Sequence, residues 1–93
     1  MGDETRLRAI VHGRVQGVNF RYYTRQQGRQ LGLTGYVRNR RDGTVEVEAE
    51  GAQSSVMRLL NWLYQGPRMA IVEQVDVQWL PYTDEFQHFE VRY

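Results

Sequence analysis

Residues 45–50 alternate without a break: Val45, Val47 and Ala49 interleave with Glu46, Glu48 and Glu50. A period of two puts the apolar residues on one side of an extended chain and the acids on the other, so this segment reads as a strand lying on a core. The Asp42-Gly43 pair supplies turn chemistry just before it, and Gly35 to Arg40 reads as the strand on the other side of that turn. The result is a hairpin whose glutamates are expected to form a solvated face.

The other segments take their place around this hairpin. Leu7, Ala9 and Val11 alternate with Arg8, Ile10 and His12, and Ile10 makes both faces partly apolar, as in a central strand. Phe20, then Tyr23 or Thr24, Gln27 and Leu31 recur at helical spacing up to Gly32, with Gly28 as a weak helix former inside the run, costing about 1 kcal/mol. Val56, Leu59, Leu60 and Leu63 make the apolar stripe of a second helix, with Ser54 or Ser55 as its cap and Gly66-Pro67 as its end. Val75, Val77 and Trp79 alternate with polar residues, as do Phe89, Val91 and Tyr93, giving one or two closing strands on either side of residues 81–85. The order β-α-β-β-α-β plus a terminal strand, joined by right-handed crossovers, predicts an α+β ferredoxin-like sandwich: an antiparallel sheet of four to five strands backed by two helices.

A chain of 93 residues with 41% hydrophobic composition is read as one domain. Twelve basic against 11 acidic residues leave a net charge of +1, too small to draw a polyanion from a distance. Tyr22, Tyr23, Tyr36, Trp62, Tyr64 and Trp79 do not form the sheet-centre platform of an RNA-binding domain, so no nucleic-acid partner is expected. There is no cysteine, which removes disulfides, thiolate nucleophiles and most zinc frameworks, and no lysine, which removes Schiff bases and Walker-type loops. Residues 1–5 are polar, unlike a signal peptide, and are expected to be a flexible start; no apolar run approaches the roughly 20 residues of a membrane span. A soluble, cytoplasmic protein is expected.

Chemistry concentrates in Gly13 to Asn19, where a strand feeds a glycine-bearing loop that opens a helix. Such a loop gathers backbone N–H groups around one point and adds the positive end of the helix dipole, a setting for a tetrahedral oxyanion. Arg21, in the first helical turn, offers a guanidinium fork to two phosphate oxygens. Glycine and arginine at such positions are also common in loops without a ligand. With no cysteine to attack phosphorus, any phosphate transferred here goes to water. His12 and His88 are expected to be structural or exposed, and no dedicated metal site is expected.

Gly13-Arg14-Val15-Gln16-Gly17-Val18-Asn19-Phe20-Arg21 resembles the first signature of the acylphosphatase family, and Gly35-Tyr36-Val37-Arg38-Asn39 with Gly43, Val45 and Gly51 resembles the second. The resemblance extends through Leu31-Gly32-Leu33 to Phe89-Glu90-Val91-Arg92-Tyr93, nearly the whole chain, and implies a single acylphosphatase-like domain over residues 1–93. It implies hydrolysis of acyl phosphates to carboxylate and inorganic phosphate, with no cofactor and no metal, in a monomer. It further implies that Arg21 binds the phosphoryl group, that Val15, Gln16, Gly17, Val18 and Asn19 form the phosphate cradle through their N–H groups, and that Asn39 orients water. Arg14 stands at a variable motif position and is given no role. A binding module that holds phosphate without turning it over is the competing expectation, and Asn39 is the residue such a module has little use for.

Overall fold

Each segment with a period of two forms a strand, and each with helical spacing forms a helix. The computed structural model describes residues 3–93. Its elements are β1 (Glu4–Arg14), α1 (Phe20–Gln30), β2 (Thr34–Asn39), β3 (Val45–Ala52), α2 (Gln53–Gln65), β4 (Ile71–Leu80) and β5 (Phe89–Arg92). The sheet order is β4-β1-β3-β2-β5, so β3 is the middle strand and β1 is interior, as the two apolar faces at Ile10 suggest. Among the described residues, no helix is long and apolar enough to cross a membrane.

One row of the register carries the core and leads to the site. Leu7, Ala9 and Val11 of β1 face Ala49, Val47 and Val45 of β3, which in turn face Gly35, Val37 and Asn39 of β2. Val56, Leu59, Leu60 and Leu63 of α2 and Phe20 of α1 are buried against this face, and Thr24 rather than Tyr23 is the inward residue of α1. Asn39 therefore ends β2 on the helix-covered side of the sheet, level with Val45.

Several expectations need correction. The sheet is mixed, because β5 returns parallel to β2, with Val37 opposite Val91. Glu4 and Thr5 pair with Ala52 and Gly51, so backbone bonding takes them out of the loose start expected for residues 1–5; Met1 and Gly2 lie outside the described residues. Ser54 and Ser55 fall inside the first turn of α2, whose N-cap is Ala52. Gly28 is no mere weakness, since a Cβ there would lie 2.5 Å from the buried ring of Phe89. The helix needs a bare Cα to reach the sheet.

The glutamates are the largest correction. Glu46, Glu48 and Glu50 are 3%, 8% and 1% exposed, so the face expected to be wet is covered. Arg6 donates to Glu48 at 3.1 Å through Nε and also through Nη2, Arg38 donates to Glu46, and the Tyr36 hydroxyl makes a short bond to Glu46. The segment after β4 folds over Glu50, which accepts from the N–H and hydroxyl of Thr83, while Phe86 packs under Arg6 and against Tyr36. Alternation fixes which side of a strand is polar, but arginines on both neighbouring strands turn that side into a buried ionic layer.

Candidate active site

The loop 15–19 leaves β1 and enters α1 in a tight, partly left-handed path. Gly17 has φ +76° with open space where a Cβ would stand, and Asn19, the N-cap of α1, is itself left-handed at φ 63°. That cap makes no side-chain hydrogen bond, and the first turn of α1 holds no acid. Among the described residues, none of the N–H groups of Gln16 to Asn19 donates to a backbone carbonyl. A helix start left uncapped in this way presents donors and a positive dipole end to an anion.

Val15, Gly17, Asn19, Arg21 and Asn39 line one cleft of about 290 Å³. Three of these come from the loop, Arg21 from α1 and Asn39 from the end of β2, so the fold brings together the motif residues that sequence alone leaves 18 positions apart, from 21 to 39. The Oδ1 of Asn39 is buried and has no hydrogen-bond partner among the described residues. A buried acceptor without a donor costs stability unless a ligand or water supplies one.

Two cradle residues are placed differently. Gln16 turns its side chain away from the cleft, donating from Nε2 to the carbonyls of Arg40 at 2.7 Å and Thr44 at 2.9 Å. Val18 lines a separate groove with Trp62 and Met69. Gly13 and Arg14 belong to β1, not to the loop: a register shift follows His12, and a Cβ on Gly13 would lie 2.1 Å from the carbonyl oxygen of Ile71. Gly13 serves the approach of β4 rather than a ligand.

The electrostatics favour an anion. Arg25, one turn beyond Arg21, lines the cleft, and an adjoining hollow that shares Asn39 carries Arg38, Arg40, Arg41 and Asp42. Of these five arginines, Arg38 is paired with Glu46 and Arg40 lies 3.6 Å from Asp42, so among the described residues Arg21, Arg25 and Arg41 are left without an acidic partner. His12 pairs with Asp76 at the surface and His88 is exposed, both outside the lining of the cleft. Among the described residues, no three His, Cys, Asp or Glu side chains are grouped to hold a metal ion.

The acylphosphatase family model matches residues 7–91. The chain is 48% identical over 91 residues to the acylphosphatase of Salinibacter ruber, covering 98% of this chain and 96% of that one. It is 54% identical over 84 residues to that of Pasteurella multocida, covering 90% and 93%. The solved acylphosphatase of Coxiella burnetii superposes with a TM-score of 0.91 at 40% identity, covering 97% of this chain and 94% of that one. The chain belongs to the acylphosphatase family.

The acylphosphatase cleft also contains residues that the motifs do not announce. Val91 of β5 and Tyr93 just beyond it enter the cleft, and the Arg21 guanidinium lies over the Tyr93 ring, 4.8 Å from its centroid. The parallel pairing of β5 with β2 puts them there, and no local pattern in residues 89–93 foretells that register. Arg25 was within reach of the sequence, since helical spacing from Arg21 places it on the same face, whereas Tyr22, one position on from Arg21, was not.

Proposed function

We propose that this chain hydrolyses acyl phosphates at phosphorus without a metal, with Arg21 and the N–H groups of residues 15–19 holding the phosphoryl group and Asn39 aiming the water. The chain is an enzyme of the acylphosphatase class, converting an acyl phosphate to carboxylate and inorganic phosphate. The observation that carries the residue roles is the unpartnered Oδ1 of Asn39, buried in the lining of the cleft that also holds Arg21. A binding module has no reason to keep such an acceptor beside the cradle; a hydrolase needs one to accept a hydrogen bond from water and so turn the water's lone pair toward phosphorus.

Phosphoryl transfer from an acyl phosphate asks for positioning and charge stabilisation more than for proton transfer, because the carboxylate is already a good leaving group. Water forms a bond to phosphorus in line with the bridging oxygen; the bridging bond breaks and its electron pair leaves with the carboxylate. An amide is no base at neutral pH, so Asn39 orients the water, and the proton passes to a phosphoryl oxygen of the substrate. The guanidinium of Arg21 and the start of α1 meet the charge on the equatorial oxygens. The chain acts as a monomer on a small molecule, and its net charge of +1 supports a partner other than nucleic acid. A cytoplasmic setting suits a chain without cysteine.

The test is hydrolysis of benzoyl phosphate in ¹⁸O-labelled water with a chelator present. Metal-independent turnover that places the label in inorganic phosphate is the expected result. Label in benzoate means attack at carbon and removes the role given to Asn39, whereas phosphate binding with no turnover by the folded chain leaves the binding module.

A further inference from the structure

The cradle accounts for the phosphate and the water, and leaves the acyl group without a place. In-line attack supplies a direction: with water on the Asn39 side of phosphorus, the acyl oxygen departs on the side away from β2. The start of α1 divides that region in two. Arg21 and Arg25, one turn apart, face the cleft beside β5, while Tyr23 and Gln27, also one turn apart, face α2.

On this second side lies a groove of about 450 Å³ walled by Val18, Tyr23, Trp62, Pro67 and Met69. Asn19 lines both the groove and the cleft, so the two meet at the tip of α1, whereas Asn39 lines only the cleft of this pair. The groove is mostly apolar, with Gln27 and Arg68 as its polar lining beside Asn19, and contains no acid. Trp62 is anchored from behind by Phe20, 5.7 Å between ring centroids, while Met69 is 67% exposed and Tyr23 41%. Large apolar side chains left open beside a reaction centre, with a rigid aromatic floor, suit an apolar ligand.

We propose that this groove between α1 and α2 is the acyl subsite: the apolar part of the substrate passes over Asn19 and lies on Trp62 between Tyr23 and Met69, so that acyl phosphates with longer or aromatic apolar groups are preferred. The assignment rests on the acylphosphatase reading above. It makes Tyr23 and Met69 specificity residues for the leaving group, remote from the phosphate.

The experiment compares kcat/KM for acetyl, butyryl and hexanoyl phosphate in the native chain, in Met69→Asp and in Tyr23→Ala. Both substitutions fall at exposed positions, so folding is checked rather than threatened. Each methylene laid on a half-open apolar wall is worth about twofold, so hexanoyl phosphate, four methylenes longer, is expected to exceed acetyl phosphate by about sixteenfold in the native chain. That ratio is expected to fall toward one in each variant. A flat series in the native chain, or the same slope in all three proteins, overturns the acyl subsite while leaving the hydrolase intact. No turnover of any member by the folded native chain removes the hydrolase, and the subsite with it.

Discussion

The side-chain amide of Gln16 donates to the carbonyl oxygen of Arg40 across 2.7 Å. With its second bond to Thr44, it ties the loop that follows β1 to the turn that follows β2. Strand β3 lies between those two strands, which places them about 10 Å apart, so the cradle and Asn39 have no direct backbone ladder to fix their distance. Gln16→Leu removes the tie while the turn's own bonds, Arg40 N–H to Thr44 and Gly43 N–H to Arg40, stay. The expected outcome is a loss of about 1 to 2 kcal/mol in urea unfolding and a fall of about tenfold in kcat on benzoyl phosphate. A native kcat in this variant makes Gln16 irrelevant to placement.

Arg21→Ala removes the guanidinium from the cleft. Charge-assisted bonds to phosphate are worth about 1.5 to 3 kcal/mol each, so inorganic phosphate is expected to stop inhibiting at any practical concentration and turnover to disappear with it. Inhibition constants for phosphate, measured beside a circular dichroism check of folding, decide this. Normal turnover in a folded Arg21→Ala protein ends the assignment.

Asn39→Ala separates binding from chemistry. Turnover is expected to fall by about 10² or more, the scale of a single positioning donor or acceptor, while competitive inhibition by phosphate persists. Loss of phosphate inhibition together with turnover transfers Asn39 from the water to the cradle.

Gly28→Ala, stabilising by helix propensity, is expected to destabilise. The propensity gain of about 1 kcal/mol is outweighed by driving a methyl group into the Phe89 ring, an overpacking cost of about 1 to 3 kcal/mol. The midpoint of urea unfolding, compared with the native chain, gives the sign directly.

The ionic layer makes stability decline at both ends of the pH scale. Burial by itself pushes the Glu46 carboxyl up, but bonds from Tyr36 and Arg38 and the nearby arginine charge bring it below its ordinary 4.5. Burial and the bond to Glu46 push Tyr36 from 10 up to about 12. The folded chain therefore holds the Glu46 proton less tightly than the unfolded chain, and that contribution is complete above pH 4.5 and lost as pH falls through the folded value. It holds the Tyr36 proton more tightly, and that contribution is complete below pH 10 and lost as pH rises through about 12. Urea midpoints between these limits are expected to be level, and Tyr36→Phe to lower the plateau and reduce the alkaline decline; an unchanged alkaline slope in that variant refutes the link.

The strands, helices and motif residues were legible because each is a local signal: Val45 to Glu50 alternate, and Gly17, Arg21 and Asn39 stand at fixed positions in short runs. What escaped depends on neighbours distant in sequence. Glu48 reads as wet until Arg6 is known to lie across the strand, Gly28 reads as a flaw until Phe89 is opposite, and Val91 reads as an ordinary strand residue until β5 is known to run parallel to β2. The side chain of Gln16 belongs with these, since no spacing rule connects residue 16 to a turn at residues 40–44.

The insertion of β3 between β1 and β2 has a kinetic consequence. A folding intermediate in which only the β2–β3 hairpin has formed contains Asn39 but no cradle in reach of it, and one in which β1 has joined α1 contains the cradle without Asn39. Only when β1 docks along β3, a pairing between distant parts of the chain, do the halves meet, and such long loops close slowly. Recovered turnover during refolding therefore serves as a clock for the topology itself, and a fluorescence phase that precedes it marks collapse without completed strand order.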